Sequence, residues 1–89
     1  MQIEFDQAKD LANLTKHGVS LALANELNWE AALVWVDDRF EYGELRMIPL
    51  APKTGILYYV AFMERGKMRR IISLRQANRR EVTHYVKNI

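Results

Sequence analysis

The chain has 89 residues, 49% of them hydrophobic and 27% charged, with 4 glycines, 2 prolines and no cysteine, which suits one modest core and is too little for two. The missing cysteine excludes disulfide staples, thiolate metal sites and cysteine nucleophiles, and charges from Glu4 onward leave no apolar run of signal-peptide or membrane-span length. The net charge of +2 conceals a split: residues 1–44 hold three Lys/Arg against nine Asp/Glu, a net of −6, while residues 45–89 hold ten against two, a net of +8. That asymmetry has two readings, a polyanion-facing surface built from the second half or acidic helices that neutralise basic strands within the fold. A single cytoplasmic domain over 1–89, away from any membrane, is the expectation.

Asp6 ahead of "QAKDLANLTKHG" reads as an N-cap and Gly18 as a left-handed stop, which predicts a helix over 7–17 with Leu11 and Leu14 on one side. Ser20 caps a second predicted helix through "LALAN" to about Leu27, with Val19 available as a hydrophobic staple. From Ala31 the pattern turns to β. "ALVWV" ends at Asp37 and Asp38, "ELRMIPLA" at the turn "PKTG", "ILYYVAFM" at "ERGK", and "MRRIISL" runs to Arg75.

The short spacers predict an antiparallel meander of about four strands. Pro49 argues that its strand is an edge or is bulged there, and "ILYYVAFM", apolar on both parities, suits a central strand covered on both faces. In "NRREVTHYVKNI", Asn78 and Glu81 stand at capping-box spacing. Val82, Tyr85, Val86 and Ile89 then recur at helical intervals, which predicts a C-terminal helix packed back on the sheet. The class is therefore α+β: two N-terminal helices, a mainly antiparallel sheet and a C-terminal helix.

Several chemistries lack their residues. There is no phosphate loop of the G-x-x-x-x-G-K type and no G-x-S-x-G elbow, and the two histidines, His17 and His84, do not stand in H-E-x-x-H spacing. What remains is a basic surface with a few hydroxyl, carboxylate and imidazole groups. Such a set can grip phosphates, or cleave RNA by making its own 2′-hydroxyl the nucleophile. That reaction needs a base, an acid for the leaving 5′-oxygen and fixed cations, and no metal or other cofactor.

Strand parity places Arg69, Ile71, Ser73 and Arg75 on one face and Met68, Arg70, Ile72 and Leu74 on the other. The first set, more polar, is assigned to the open face, and Arg70 reaches round the edge on its long stem. Ser73 and Arg75 have the weakest packing explanation for an open-face strand. Glu81 is explained by the capping box and Tyr85 as a core-facing helix residue. Arg65 borders the turn at Gly66, and His17 suits the C-terminal end of a helix dipole. His84 faces away from the apolar stripe.

Three separated segments resemble one family, the BrnT toxins of bacterial type II toxin–antitoxin pairs, small ribonucleases with a RelE-like fold. They are Phe5, Asp6, Lys9 and Asn13 with the run Lys16-His17-Gly18-Val19-Ser20; Tyr42-Gly43-Glu44 with Arg46; and Glu64, Arg65, Gly66, Arg70, Ile71, Ile72, Ser73, Arg75, Ala77, Glu81 and Tyr85. The resemblance implies a metal-independent endoribonuclease toxin. Its catalytic residues would be Arg75, Ser73, Glu81, His17 and Tyr85, and its RNA ligands Arg46, Arg65, Arg70, Arg79, Arg80 and Lys16.

It also implies a BrnA-like antitoxin partner with a ribbon-helix-helix part, through which alone operator DNA is bound, in a hetero-oligomer. The departures are Phe5 where the family has Trp, Asn28-Trp29-Glu30-Ala31 in place of an Asp-Pro, Leu74 where a small residue is usual, and the unlike run "MIPLAPKTG". The competing readings are a non-catalytic nucleic-acid-binding or antitoxin-binding subunit of the same kind of complex, and a purely structural domain whose arginines meet an acidic partner.

Overall fold

The computed structural model describes residues 2–37 and 46–89. Its elements run β1 (Gln2–Glu4), α1 (Gln7–His17), two 3₁₀ segments (Leu21–Glu26 and Trp29–Ala31), β2 (Leu33–Asp37), β3 (Arg46–Lys53), β4 (Ile56–Arg65), β5 (Met68–Gln76) and α2 (Arg79–Asn88). The sheet has the order β1-β5-β4-β3-β2. All neighbours are antiparallel except β1 and β5, which pair in parallel with Glu4 opposite Arg70. The sequence segment read as the third of four strands, "ILYYVAFM", is the central one.

Two features of the predicted fold are corrected. The expected second N-terminal helix is a 3₁₀ segment: Ser20 does cap it, accepting from the Ala22 amide at 3.1 Å, but the Leu23 amide bonds back three residues to the Ser20 carbonyl at 3.1 Å. Asp10 adds a second tie, accepting from both the Ser20 hydroxyl (2.9 Å) and the Leu21 amide (2.7 Å) and so drawing the segment onto α1. The sheet is mixed and five-stranded because three residues ahead of α1 add β1. A three-residue strand is too short to show alternation, and its partner lies more than sixty residues on.

Pro49 is on neither an edge nor a bulge. It lies on the interior strand β3 opposite Val34, and the β3–β4 pairing is interrupted without a shift between Met47–Phe62 and Leu50–Tyr59, where the proline has no N–H to give. The turn expected at Asp38 falls outside the described residues.

The main buried cluster lies on the face covered by the first 3₁₀ segment, where Leu21, Ala24 and Leu27 meet Ala51, Val60, Phe62, Ile71 and Leu74, while Ile48 and Leu50 are buried on the other face. Burial of side chains such as Phe62 and Leu74 stabilises the fold by about 1.5–3 kcal/mol each. Trp29 stands edge-on to Phe62 at 5.4 Å and donates its indole N–H to the Ala24 carbonyl at 2.8 Å.

A register shift at Ala61/Phe62 splits the predicted parity of β5, because Ala61 faces Ser73 while Phe62 faces Ile71. Ile72 is the extra residue of a β-bulge. Before it, Arg69 and Ile71 point to the core face, with the Arg69 guanidinium over the rings of Trp29 (4.9 Å) and Phe62 (4.8 Å). After it, Leu74 takes the core face, and Ser73 and Arg75 point the other way. Arg70 needs no detour round an edge, since the bulge puts it on the same side as Ser73 and Arg75.

The helix faces also differ from expectation. On α1 the residue buried against the sheet is Asn13, 6% exposed, while Leu11 and Leu14 are 66% and 48% exposed. On α2 the residues turned inward are Glu81 and Tyr85, while Val82, Val86 and Ile89 stay exposed.

Candidate active site

Strand β1 covers only Met68–Arg70 of β5, so the next part of that edge must find other partners for its backbone groups. Asn13 supplies them. Its carboxamide Nδ2 donates to the Leu74 carbonyl at 2.7 Å and to the Val19 carbonyl at 2.9 Å, and its Oδ1 accepts from the Leu74 amide at 3.1 Å. One side chain thereby does what a neighbouring strand would do. It fixes the last turns of α1 along the strand.

Beside that seam a cleft of about 260 Å³ is lined by Lys9, Ala12, Asn13, Lys16, His17, Ile72 and Ser73. Helix α1 ends here because Gly18 adopts φ 76°, and its N–H closes on the Leu14 carbonyl at 2.9 Å. The His17 imidazole titrates below its ordinary value of 6.5: burial disfavours the cation, and the positive charges of Lys16 and Arg75 add to the effect. At neutral pH it is therefore a neutral base.

Arg75 is held from two directions. Its guanidinium lies over the Tyr59 ring at 4.0 Å, the two being register neighbours on β5 and β4. Glu81 grips it bidentately, Nη1 donating at 2.8 Å and Nη2 at 2.9 Å, and Nη1 also donates to the Gln76 carbonyl at 3.3 Å. The Nε–H and the second Nη2–H make no hydrogen bond among the described residues. One edge of the fork stays open for an oxyanion.

Glu81 also closes the capping box of α2, accepting from the Asn78 amide at 2.9 Å while Asn78 accepts from the Glu81 amide at 2.8 Å. Burial works to raise the Glu81 pKa, but the Arg75 hydrogen bonds, the Asn78 amide and the Arg75 charge outweigh it and hold the carboxyl below its usual range. The Glu81 hydrogen bond correspondingly raises the Arg75 pKa, against the opposing effect of burial.

Of the residues predicted from sequence, His17, Lys16 and Ser73 share the cleft, and Arg75 with Glu81 lies close enough for its charge to act on His17. Tyr85 stands apart: its hydroxyl donates to the Ala31 carbonyl at 2.6 Å and anchors α2 near the start of β2. Arg79 and Arg80 line a separate open groove with Asn78, Thr83, His84 and Lys87. Arg70 sits by Glu4 at 3.7 Å, and Arg65 is exposed at the end of β4. The Arg46 side chain lies outside the described residues.

The neutralising reading of the charge split is met in part. Lys53 pairs with Glu26 at 3.0 Å and Arg70 with Glu4, whereas Lys9, Lys16, Arg79, Arg80 and Lys87 have no ion pair among the described residues. Sequence reasoning missed three contributors. Lys9 shares the face of Lys16 at a spacing of seven, and Asn13 stands with it in the family pattern, so both had a legible signal; Tyr59 acts through a contact with the neighbouring strand and had none.

Among the described residues no cluster of three or more His, Asp or Glu side chains stands ready for a metal ion, and no helix is long and apolar enough to cross a membrane. A comparison with curated proteins finds no match. The model of one family, described as the ribonuclease toxin BrnT of type II toxin–antitoxin systems, matches residues 5–81. That span includes the cleft, the bulged strand, Arg75 and the capping-box glutamate. Such a toxin acts on RNA and is paired with an antitoxin. With the match running over most of its length, the chain belongs to the BrnT family of ribonuclease toxins.

Proposed function

We propose that the chain is a single toxin domain that cleaves RNA at the cleft between α1 and β5, by attack of the 2′-hydroxyl on the adjacent phosphorus without a metal ion. The observation that carries this reading is the meeting of an imidazole, two lysines and a hydroxyl in one cleft, with Arg75 near enough for its charge to act on His17. His17 takes the 2′-proton. The Arg75 edge, Lys9 and Lys16 hold the charge that grows on the phosphorane oxygens, and Ser73 donates a hydrogen bond to the same group. The 5′-oxygen leaves with a proton from solvent at the open side of the cleft, and the products are a 2′,3′-cyclic phosphate and a 5′-hydroxyl.

Glu81 and Tyr59 keep the guanidinium in place, and Tyr85 holds the helix that carries Glu81. The partner in this reading is a BrnA-like antitoxin with a ribbon-helix-helix part that alone contacts operator DNA, and the toxin works in the cytoplasm. The test is single-turnover cleavage of a labelled RNA by antitoxin-free protein in excess chelator, with the product ends mapped. Cyclic phosphate ends at an undiminished rate are the expected result. Retained RNA binding without cleavage would point instead to a non-catalytic subunit, and a rate abolished by chelator would remove the metal-free mechanism.

A further inference from the structure

We propose that Asn13 is a positioning residue for RNA cleavage, the clamp that sets the His17 imidazole against the Ser73 side of the cleft. The inference rests on the ribonuclease reading of that cleft and adds a residue to it that touches no substrate. Asn13 is the buried polar residue among those described. A buried carboxamide is costly unless its groups are satisfied, and here both donors and the acceptor are matched, at 2.7, 2.9 and 3.1 Å.

The three bonds join three separate pieces of chain. One is α1 itself, one the Val19 carbonyl just past the helix end, and one the backbone of Leu74 on β5. Each piece carries or adjoins a cleft group. His17 is one helical turn beyond Asn13 on the same face of α1, Ser73 immediately precedes Leu74, and Val19 follows the Gly18 stop that ends the helix on His17. Lost bonds let the last turn of α1 swing from the strand, and the imidazole moves with it. Apolar packing cannot replace them, since Leu11 and Leu14 point away from the sheet.

The charged groups around His17 are Lys16 beside it, Lys9 on the same helix and Arg75 from β5. The two lysines travel with the helix, so a loosened imidazole keeps Lys16 beside it but gains solvent and moves away from the Arg75 charge on β5. Its titration is the readout that a purely structural asparagine would not move.

The experiment compares Asn13→Ala with the milder Asn13→Ser, which leaves a hydroxyl, shorter than the carboxamide, facing the same seam. His17 is titrated by NMR, and kcat and KM are measured on single-stranded RNA at a temperature where each variant is folded. In Asn13→Ala the His17 midpoint should rise toward 6.5, and kcat should fall roughly a hundredfold while KM changes much less; Asn13→Ser should lie between. A lower melting temperature with the His17 midpoint and kcat unchanged would overturn the proposal. If the unsubstituted protein cleaves no RNA, the ribonuclease reading falls, and the His17 titration still decides what Asn13 does. A measurement on the unsubstituted protein covers variants that do not fold: side-chain amide protons of Asn13 should be protected from exchange along with the Leu74 amide, and rapid exchange of the former alone would sink the clamp.

Discussion

Helices α1 and α2 are nearly equal in length, yet they are attached to the same sheet in opposite ways. Helix α1 inserts a buried carboxamide into the backbone of β5, with three hydrogen bonds from one side chain. Helix α2 buries none of its ten residues, and the Glu81–Arg75 fork and the Tyr85–Ala31 bond tie it to the rest of the described fold. The contrast matches what each must deliver in the proposed reaction. A base that takes a proton has to sit within a few tenths of an ångström of its place, and His17 is on the firmly seated helix. The other helix contributes a carboxylate that steadies a cation already stacked on Tyr59, a task that tolerates more play.

The largest effect expected from breaking this arrangement is at the base. His17→Ala should lower single-turnover cleavage by about 10²–10⁴-fold. The rising limb of the pH–rate profile, whose midpoint in the unsubstituted protein should lie below 6.5, should vanish with it. A retained limb would move the base elsewhere.

Next comes the group that both helices influence. Arg75→Lys keeps the charge but loses the planar fork, so Glu81 and a phosphate can no longer be held together. Cleavage at saturating protein should fall about 10²–10³-fold, well beyond the loss of RNA binding. Lys87→Ala, on the outward face of α2, should weaken binding slightly at low salt only. Equal losses in these two variants would reduce the arginines to a diffuse basic patch.

A smaller effect should follow from loosening α2 alone. Glu81→Gln keeps a capping side chain but removes the charged fork, for a loss of about 1 kcal/mol given its partial exposure. Its pH dependence has a definite sign. Because the folded-state pKa of Glu81 is depressed, its stabilising contribution is complete above the ordinary carboxylate value of 4.5, declines below it, and is gone once pH has fallen through the lower folded value. In urea melts the gap between the two proteins should therefore narrow as pH falls below 4.5. A gap that persists undiminished there would show that the fork contributes something other than charge.

The smallest effect on stability is expected for Tyr85→Phe, about 0.5 kcal/mol, the low end for one hydrogen bond, because its hydroxyl is only partly buried. Amide exchange should quicken in α2 and stay unchanged in α1. Equal quickening in both helices would mean that they form one cooperative unit, and the contrast drawn between them would be lost.

The sequence by itself determined what depends on neighbours along the chain. The Asp6 cap, the Gly18 stop, the Asn78–Glu81 box and the four runs from β2 to β5 are each set by a few adjacent residues whose backbone preferences and local hydrogen bonds do not wait for the rest of the fold. The grouping of His17, Lys16, Ser73 and Arg75 was legible only through the family pattern, because nothing in their spacing brings a helix end to a strand edge.

Tertiary structure decided the rest. The bulge at Ile72 arises from pairing with β4, and it alone sends Arg69 to the core face and Arg70 to the side of Arg75. β1 exists because β5 offers an edge to three residues that would not be a strand alone. The helix faces were misread for one reason: hydrophobic periodicity assumes that apolar side chains find the sheet. Here the open edge of β5 needed hydrogen bonds more than contact area, so Asn13 turned inward while Leu11 and Leu14 stayed exposed, and on α2 the Arg75 guanidinium drew Glu81 to the sheet ahead of the valines. An unsatisfied backbone pair or a half-buried cation costs more than an exposed leucine or valine, and only the folded chain reveals where those demands lie.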